Sequence, residues 1–427
     1  TLFMENPFLQ PYTTPHGTVP FDKIELVHYE PAIREGISQE DKEINDIISN
    51  PEKPTFKNTI LALEQSGKLL DQVTTVMFNL MSAETCNELD EIAEKMMPLL
   101  SEHSNNISLN EKLFERVKQV YEDRKNLKLT PEELRLLEKT YDGFVRNGAN
   151  LSEEDKATFR KITTELSSLT LRFSQNHLKE TNSYELLLDS EEQLKGLPES
   201  IIEAAAHTAK EKGENGWIIT LQAPSYVPFM KYSENRELRR KLYMAYNTQC
   251  IHDNEQNNED VVKQLVNLRM QLAQLLGFKN YADYALRKRM AENSERVYQL
   301  LDQLLEAYTP TAREEVKEIE ALAQRTEGKD FQLMPWDFSY YAEKLKNEKF
   351  NLDEEALRPY FELSRVKEGV FGLATRLYGV SFKENKDIPV YHPDVQAYEV
   401  YDKDGSYLAV LYTDFHPRAG KRSGAWM

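Results

Sequence analysis

The residues best suited to chemistry in this 427-residue chain are eight histidines, two cysteines and two basic clusters. His16, His28, His103, His177, His207, His252, His392 and His416 are each followed by a residue other than Glu, and no two lie four apart. These residues therefore form no HExxH helix, which would set two zinc ligands and a general base on one face. No metal ligand and no catalytic residue is assigned within the chain; the histidines, His392 and His416 included, read as surface or capping groups. Cys86 and Cys250 are too few for a disulfide framework and form no CxxC pair. There is no GxSxG nucleophile elbow and no GxGxxG. Gly67-Lys68, Gly328-Lys329 and Gly420-Lys421 lack the second glycine and the Ser/Thr of a phosphate loop. Asp402-Lys-Asp404-Gly405-Ser406 lacks the glycine spacing and closing Glu of a calcium loop and reads as a hairpin turn. Arg236, Arg239, Arg240 and Lys241, with Glu234 and Glu237 as intrahelical partners, read as a solvated helix face. Arg287-Lys288-Arg289 reads the same way.

The elements that would position such residues are mostly helices, about a dozen of them. Apolar residues recur at helical spacing in three sets: Phe56, Ile60, Leu63, Gly67 and Leu70; Phe159, Ile162, Leu166, Leu169 and Phe173; and Val261, Leu265, Leu268, Leu272 and Leu275. Thr130-Pro131-Glu132-Glu133 and Ser152-Glu153-Glu154-Asp155 place a cap before an acidic first turn. Gly277 and Gly379 are expected C-terminal stops. Pro7, Pro11, Pro15, Pro20 and Pro31 keep the first thirty residues extended. Strands are expected at 183–188 and 217–221, flanking a helix over 198–212. A hairpin is expected at 396–401 and 406–415, its alternating Tyr398, Tyr401, Tyr407 and Tyr412 packing across the strands. Residues 418–427 look like a third strand cut short, so the chain is expected to be a truncated part of a longer protein.

Composition narrows the class. Sixteen glycines in 427 residues is about half the usual share of about 7% and disfavours turn-rich all-β folds. A net charge of −18 argues against nucleic acid as a partner, because phosphate neutralisation needs clustered Lys and Arg. No run of 18 apolar residues is long enough to cross a membrane. Cysteine usage and the missing leader pattern favour the cytoplasm, with the periplasm as the alternative.

A set of ordered segments carries a resemblance. They are Asn6-Pro-Phe-Leu9, Thr14-Pro-His-Gly-Thr-Val-Pro-Phe-Asp-Lys-Ile24 and His28-Tyr-Glu-Pro-Ala32, then 232–247 (YSENRELRRKLYMAYN), 275–286 (LLGFKNYADYAL) and Met290-Ala291. Pro335-Trp-Asp-Phe-Ser-Tyr-Tyr341, Leu357-Arg-Pro-Tyr-Phe361, His392-Pro-Asp394, Tyr412-Thr-Asp-Phe415 and Lys421-Arg-Ser-Gly-Ala-Trp-Met427 follow. Over nearly its whole length the chain resembles the thimet-oligopeptidase-type zinc metallopeptidases, most closely the bacterial peptidyl-dipeptidase and oligopeptidase A branch. The resemblance implies two mainly α-helical lobes either side of a deep channel, with a small antiparallel β element near the C-terminal end. It divides the chain into an extended arm (1–30), a helical N-terminal lobe with a small β insertion (31–230), and the N-terminal part of a catalytic domain (231–427) that lacks the zinc-binding helix. It implies zinc-assisted hydrolysis of short peptides, with release of C-terminal dipeptides, in the full-length parent. The family's HExxH helix lies beyond the segment matching 423–427, so the zinc of the parent has no ligands here, and the 1–427 chain alone is expected to be inactive. By the same resemblance Gly424, Ala425 and Trp426 lie beside the cleft as substrate-binding positions, where an extended peptide adds as a strand. The rival reading is a non-catalytic helical protein that binds peptides or partners. Oligomeric state is left open.

Overall fold

The structure, a computed structural model, describes residues 6–427; residues 1–5 of the expected arm lie outside the described residues. The rest of the arm is more tightly held than its prolines suggest. It makes three short 3₁₀ turns, Pro7–Leu9, Pro15–Gly17 and Leu26–His28. Phe8 is buried against Tyr29, with ring centroids 5.3 Å apart, and the Asn6 amide donates to the His28 carbonyl at 2.9 Å. The arm also meets residues near the other end of the chain: the His16 ring stacks on Tyr407, and Phe21 meets Tyr391 and Tyr412 edge-on.

Helix α1 (Tyr29–Ser49) follows, then a π-helical turn (Phe56–Leu61) running into the short α2 (Ala62–Glu64). The stripe from Phe56 to Leu70 therefore does not lie on one helix. Gly67 sits at φ +71°, a left-handed conformation that ends α2 and starts α3 (Lys68–Ala83). The helices α4 (Asn87–Ser108), α5 (Glu111–Glu122), α6 (Pro131–Arg146) and α7 (Glu153–Ser183) come next. Both expected caps form. Thr130 accepts from the Glu133 amide while Glu133 accepts from the Thr130 amide, and Ser152 accepts from the Asp155 amide at 3.2 Å.

Strands β1 (Leu186–Leu188) and β2 (Trp217–Ile219) pair antiparallel around α8 (Glu199–Glu211). Then come α9 (Ala223–Tyr232), α10 (Arg236–Asn247), α11 (Glu259–Leu275) and α12 (Tyr281–Leu286). The 34-residue α13 (Ser294–Glu327) contains Pro310 and is followed by α14 (Pro335–Phe350), α15 (Glu354–Leu357) and α16 (Leu363–Tyr378). Gly277 and Gly379 lie just beyond α11 and α16, as expected.

The chain is mainly helical with a small antiparallel sheet near its C-terminal end. That sheet has three strands in the order β3 (Ser381–Glu384), β4 (Gln396–Tyr401), β5 (Tyr407–Thr413). The third strand is thus not 418–427, which stays irregular, but 381–384 on the other side of β4. The reason lies in hydrogen bonding: the amides of Thr85 and Arg422 bond to the carbonyls of Gly420 and Ser82, so the segment's backbone is spent on the α3–α4 loop. The tyrosines also differ from expectation. Tyr401 and Tyr407 approach each other, at 6.4 Å, but Tyr398 packs on Phe371 of α16 and Tyr412 on Phe21 of the arm. The sheet is therefore a seat for other elements.

The α7 and α11 stripes meet face to face. Phe159, Ile162 and Leu169 form one buried cluster with Val261, Leu265, Leu268 and Leu272, while Phe173, at the end of its stripe, is 40% exposed. At about 25 cal/mol per Å² of apolar surface removed from water, such a seam is a main source of stability.

The basic cluster at 236–241 is not all solvated. Arg240 pairs with Glu237, but Arg239 is 1% exposed and donates to Asp337, which is 0% exposed. Arg236 forks onto the same carboxylate, at 2.7 and 3.0 Å, and Arg239 also donates to the carbonyls of Ser233 and Trp336. A buried guanidinium needs this full set of acceptors, and Asp337, lying far along the chain, supplies the charge.

Candidate functional site

The C-terminal segment 414–427 is the natural place to look, because Gly424, Ala425 and Trp426 lie in it. Its base is an ion-pair clamp. Arg418 forks onto Asp414, both bonds 2.7 Å, and also donates to the Glu84 carboxylate at 2.6 Å and the Ala83 carbonyl at 2.8 Å. Tyr391 donates to Asp414 at 2.9 Å, and Lys421 lies 3.1 Å from the same carboxylate. Burial alone would raise the Asp414 pKa. The donors from Arg418, Tyr391 and Lys421 outweigh it and hold the carboxyl well below the usual range. The same bond to Asp414 raises Arg418 further, while burial, then Asp414, pushes the Tyr391 phenol up.

Two further contacts lock the segment onto the helical body. The Asn182 amide at the end of α7 donates to the Ala419 carbonyl at 2.6 Å. Gly420 passes so close to the α3–α4 loop that a Cβ there would stand 2.5 Å from the Thr85 carbonyl oxygen. Only glycine allows that approach.

Several grooves open beside this segment, and two of them reach Arg422. The larger, about 540 Å³, is floored by α3, α4 and α7 and bordered by Arg269 of α11, Tyr281 of α12 and Arg422. The smaller, about 200 Å³, lies between the end of α7, the start of α9 and residues 415–424. Leu178 and Arg422 line both, so the grooves adjoin.

The structure treats the three expected substrate-facing residues differently. Gly424 lines the smaller groove, with Asn182, Gln222 and Ser423, and its φ of +103° is one that residues with a side chain rarely adopt. Trp426 is 38% exposed and holds the Arg422 guanidinium 5.3 Å from its ring. Ala425 is exposed and lines neither groove. Residues 423–427 form no strand. Arg269, Asn182 and Gln222 border the grooves without any signal in the sequence, while Arg422 lies in the segment 421–427 that carries the resemblance. Asp414 and Arg418 lie four apart in the sequence, a spacing at which an ion pair can form.

The donor set for a metal is missing. Among the described residues no group of three or more His, Cys, Asp or Glu side chains could hold an ion. His392 accepts from the Asp394 amide at 3.1 Å, and His103 lies between Glu40 and Asp41. Zinc has no fitting ligands among residues 6–427, and no catalytic step through it can be built on them. Neither cysteine is activated: burial raises both thiols, Cys250 to about 11 with Glu180 adding to the effect. Among the described residues no helix is long and apolar enough to cross a membrane.

Residues 229–427 match the model of peptidase family M3. It is 41% identical over 424 residues to the dipeptidyl carboxypeptidase of Escherichia coli strain K12 and 33% identical over 428 residues to that organism's oligopeptidase A. It is 32% identical over 435 residues to the organellar oligopeptidase A of Arabidopsis thaliana. Each comparison covers 99% of this chain. The chain spans 62% of the length of the two bacterial relatives and 54% of the plant one.

Proposed function

We propose that this chain serves in a zinc metallopeptidase that hydrolyses short peptides and releases dipeptides from their C-termini. The observation that carries the reading is the 41% identity to a dipeptidyl carboxypeptidase, sustained over 99% of the chain. On this reading the chain contributes the helical wall of a peptide channel between two lobes. The metal centre comes from sequence outside these 427 residues, since the described residues offer no ligand cluster. Gly424, with Ala425 and Trp426 beside it, is the edge along which an extended peptide lies. The support is the open groove at Gly424 and the lack, among the described residues, of a ladder partner for residues 423–427. We place the protein in the cytoplasm, which its two unpaired cysteines support.

The test is cleavage of short peptides by the longer protein that contains this chain, with products identified by mass spectrometry. The expected result is dipeptides from the C-terminus, activity lost to a chelator and regained with zinc, and no turnover by residues 1–427 alone. Chelator-resistant cleavage by residues 1–427 would overturn the reading.

A further inference from the structure

Arg269 and Arg422 stand out in a chain of net charge −18. Among the described residues neither guanidinium has an ion pair or a side-chain hydrogen bond; each lies only against an aromatic ring, Tyr281 at 5.5 Å and Trp426 at 5.3 Å. Four residues before Arg422, Arg418 is saturated by two carboxylates and a carbonyl. Yet Arg269 and Arg422, far apart in sequence, border the same 540 Å³ groove.

The groove's other residues say what kind of anion would suit it. Among the described residues its only carboxylate is Asp90, which is 6% exposed and already accepts the Thr85 hydroxyl at 2.7 Å. Leu166, Leu171 and Leu178 supply apolar wall, with Ser167 and Thr170 as hydroxyl partners. A ligand that fits carries a carboxylate next to an apolar group. The carboxylate would satisfy planar, multi-donor guanidinium groups, and the apolar group would cover the leucines. Arg422 also lines the smaller groove beside Gly424. A chain lying along Gly424 therefore leads into the larger groove.

We propose that this groove receives the C-terminal residue of a bound peptide, with its α-carboxylate held by Arg269 and Arg422 and its side chain against the α7 leucines. The proposal rests on the peptide reading above. It assigns the requirement for a free C-terminus to two residues of this chain.

The experiment titrates residues 1–427 with one N-acetylated pentapeptide ending in an apolar residue, prepared as the free acid and as the C-terminal amide. Binding is read by calorimetry and by the fluorescence of Trp426, which lies against Arg422. The free acid should bind roughly tenfold tighter than the amide, the scale of one hydrogen-bonded charge. Because both arginines are exposed, that preference should shrink as salt rises. Arg269→Gln and Arg422→Gln should each bring the acid-to-amide ratio toward one, while Arg→Lys keeps part of it. Beyond the ring contact of Arg269 with Tyr281 on α12, neither side chain is bonded to another element among the described residues, so the thermal midpoint should stay within a degree or two, showing that lost preference is not lost fold. Equal binding of acid and amide, or a preference that survives both Gln variants, overturns the carboxylate proposal and leaves peptide binding standing. Failure of both peptides to bind overturns the two readings together.

Discussion

Helices α11 and α16 carry the same kind of apolar stripe and meet opposite fates. On α11, Val261, Leu265, Leu268 and Leu272 are each no more than 9% exposed, because α7 lies against them with a matching stripe. On α16, Leu363, Val366, Val370, Leu373 and Leu377 also step by three and four, yet they are 39–64% exposed. Only the other side of α16 is used: Phe371 stacks on Phe382 of β3 at 4.2 Å and meets Tyr398 of β4 at 5.0 Å. The first half of α13 resembles α16, with Tyr298, Leu301, Leu305 and Tyr308 each more than half exposed. Periodicity shows that a helix has an apolar face; the neighbours decide whether that face contributes burial energy.

The largest effect is expected where packing gives way to exposure, at the ion pair joining α10 to α14. Asp337→Ala leaves Arg239 buried without its charge partner and should cost about 3–5 kcal/mol in urea unfolding. Leu265→Ala on α11 comes next, at about 2–4 kcal/mol, from lost transfer energy plus the cavity left behind. Gly420→Ala should cost about 1–3 kcal/mol by driving a methyl into the Thr85 carbonyl, read as a lower melting temperature and faster proteolysis near residue 420.

Acid should act on the same segment. The Asp414 carboxyl is held low when folded, so its ion pairs stabilise fully above about pH 4 and that contribution fades as pH falls further. Stability measured between pH 5 and 3 should fall less steeply in Asp414→Asn than in the parent. The smallest effect belongs to α16: Leu373→Ala, on a residue 55% exposed, should change stability by less than about 0.5 kcal/mol. A cost near that of Leu265→Ala would show that the two helices are packed alike and would end the comparison.

What could be read from the residues was what depends on near neighbours in the chain. The Thr130 and Ser152 caps, the stops at Gly277 and Gly379 and the Asp-Gly hairpin turn all form as expected, because each rests on bonds within a few residues. The local reading failed where distant residues intervened. Gly67 splits a continuous-looking stripe, Asp337 draws Arg239 inside, and the α3–α4 loop takes up the backbone of residues 420–422 that seemed destined for a strand. The candidate site was half visible. Gly424 could be pointed to from the segment it lies in, whereas the two adjoining grooves, one between α7 and α9 and the other bordered by α11 and α12, had no linear trace.

By itself, then, the sequence determined a helical chain with one late hairpin and a resemblance to a family of peptidases. Spacing, capping and ordered motifs are properties of the chain read in line. Only the tertiary structure decided which stripes are buried, which arginines are neutralised and which two remain unpaired at one groove. Burial and pairing are set by groups tens to hundreds of residues away, brought within a few ångströms by packing.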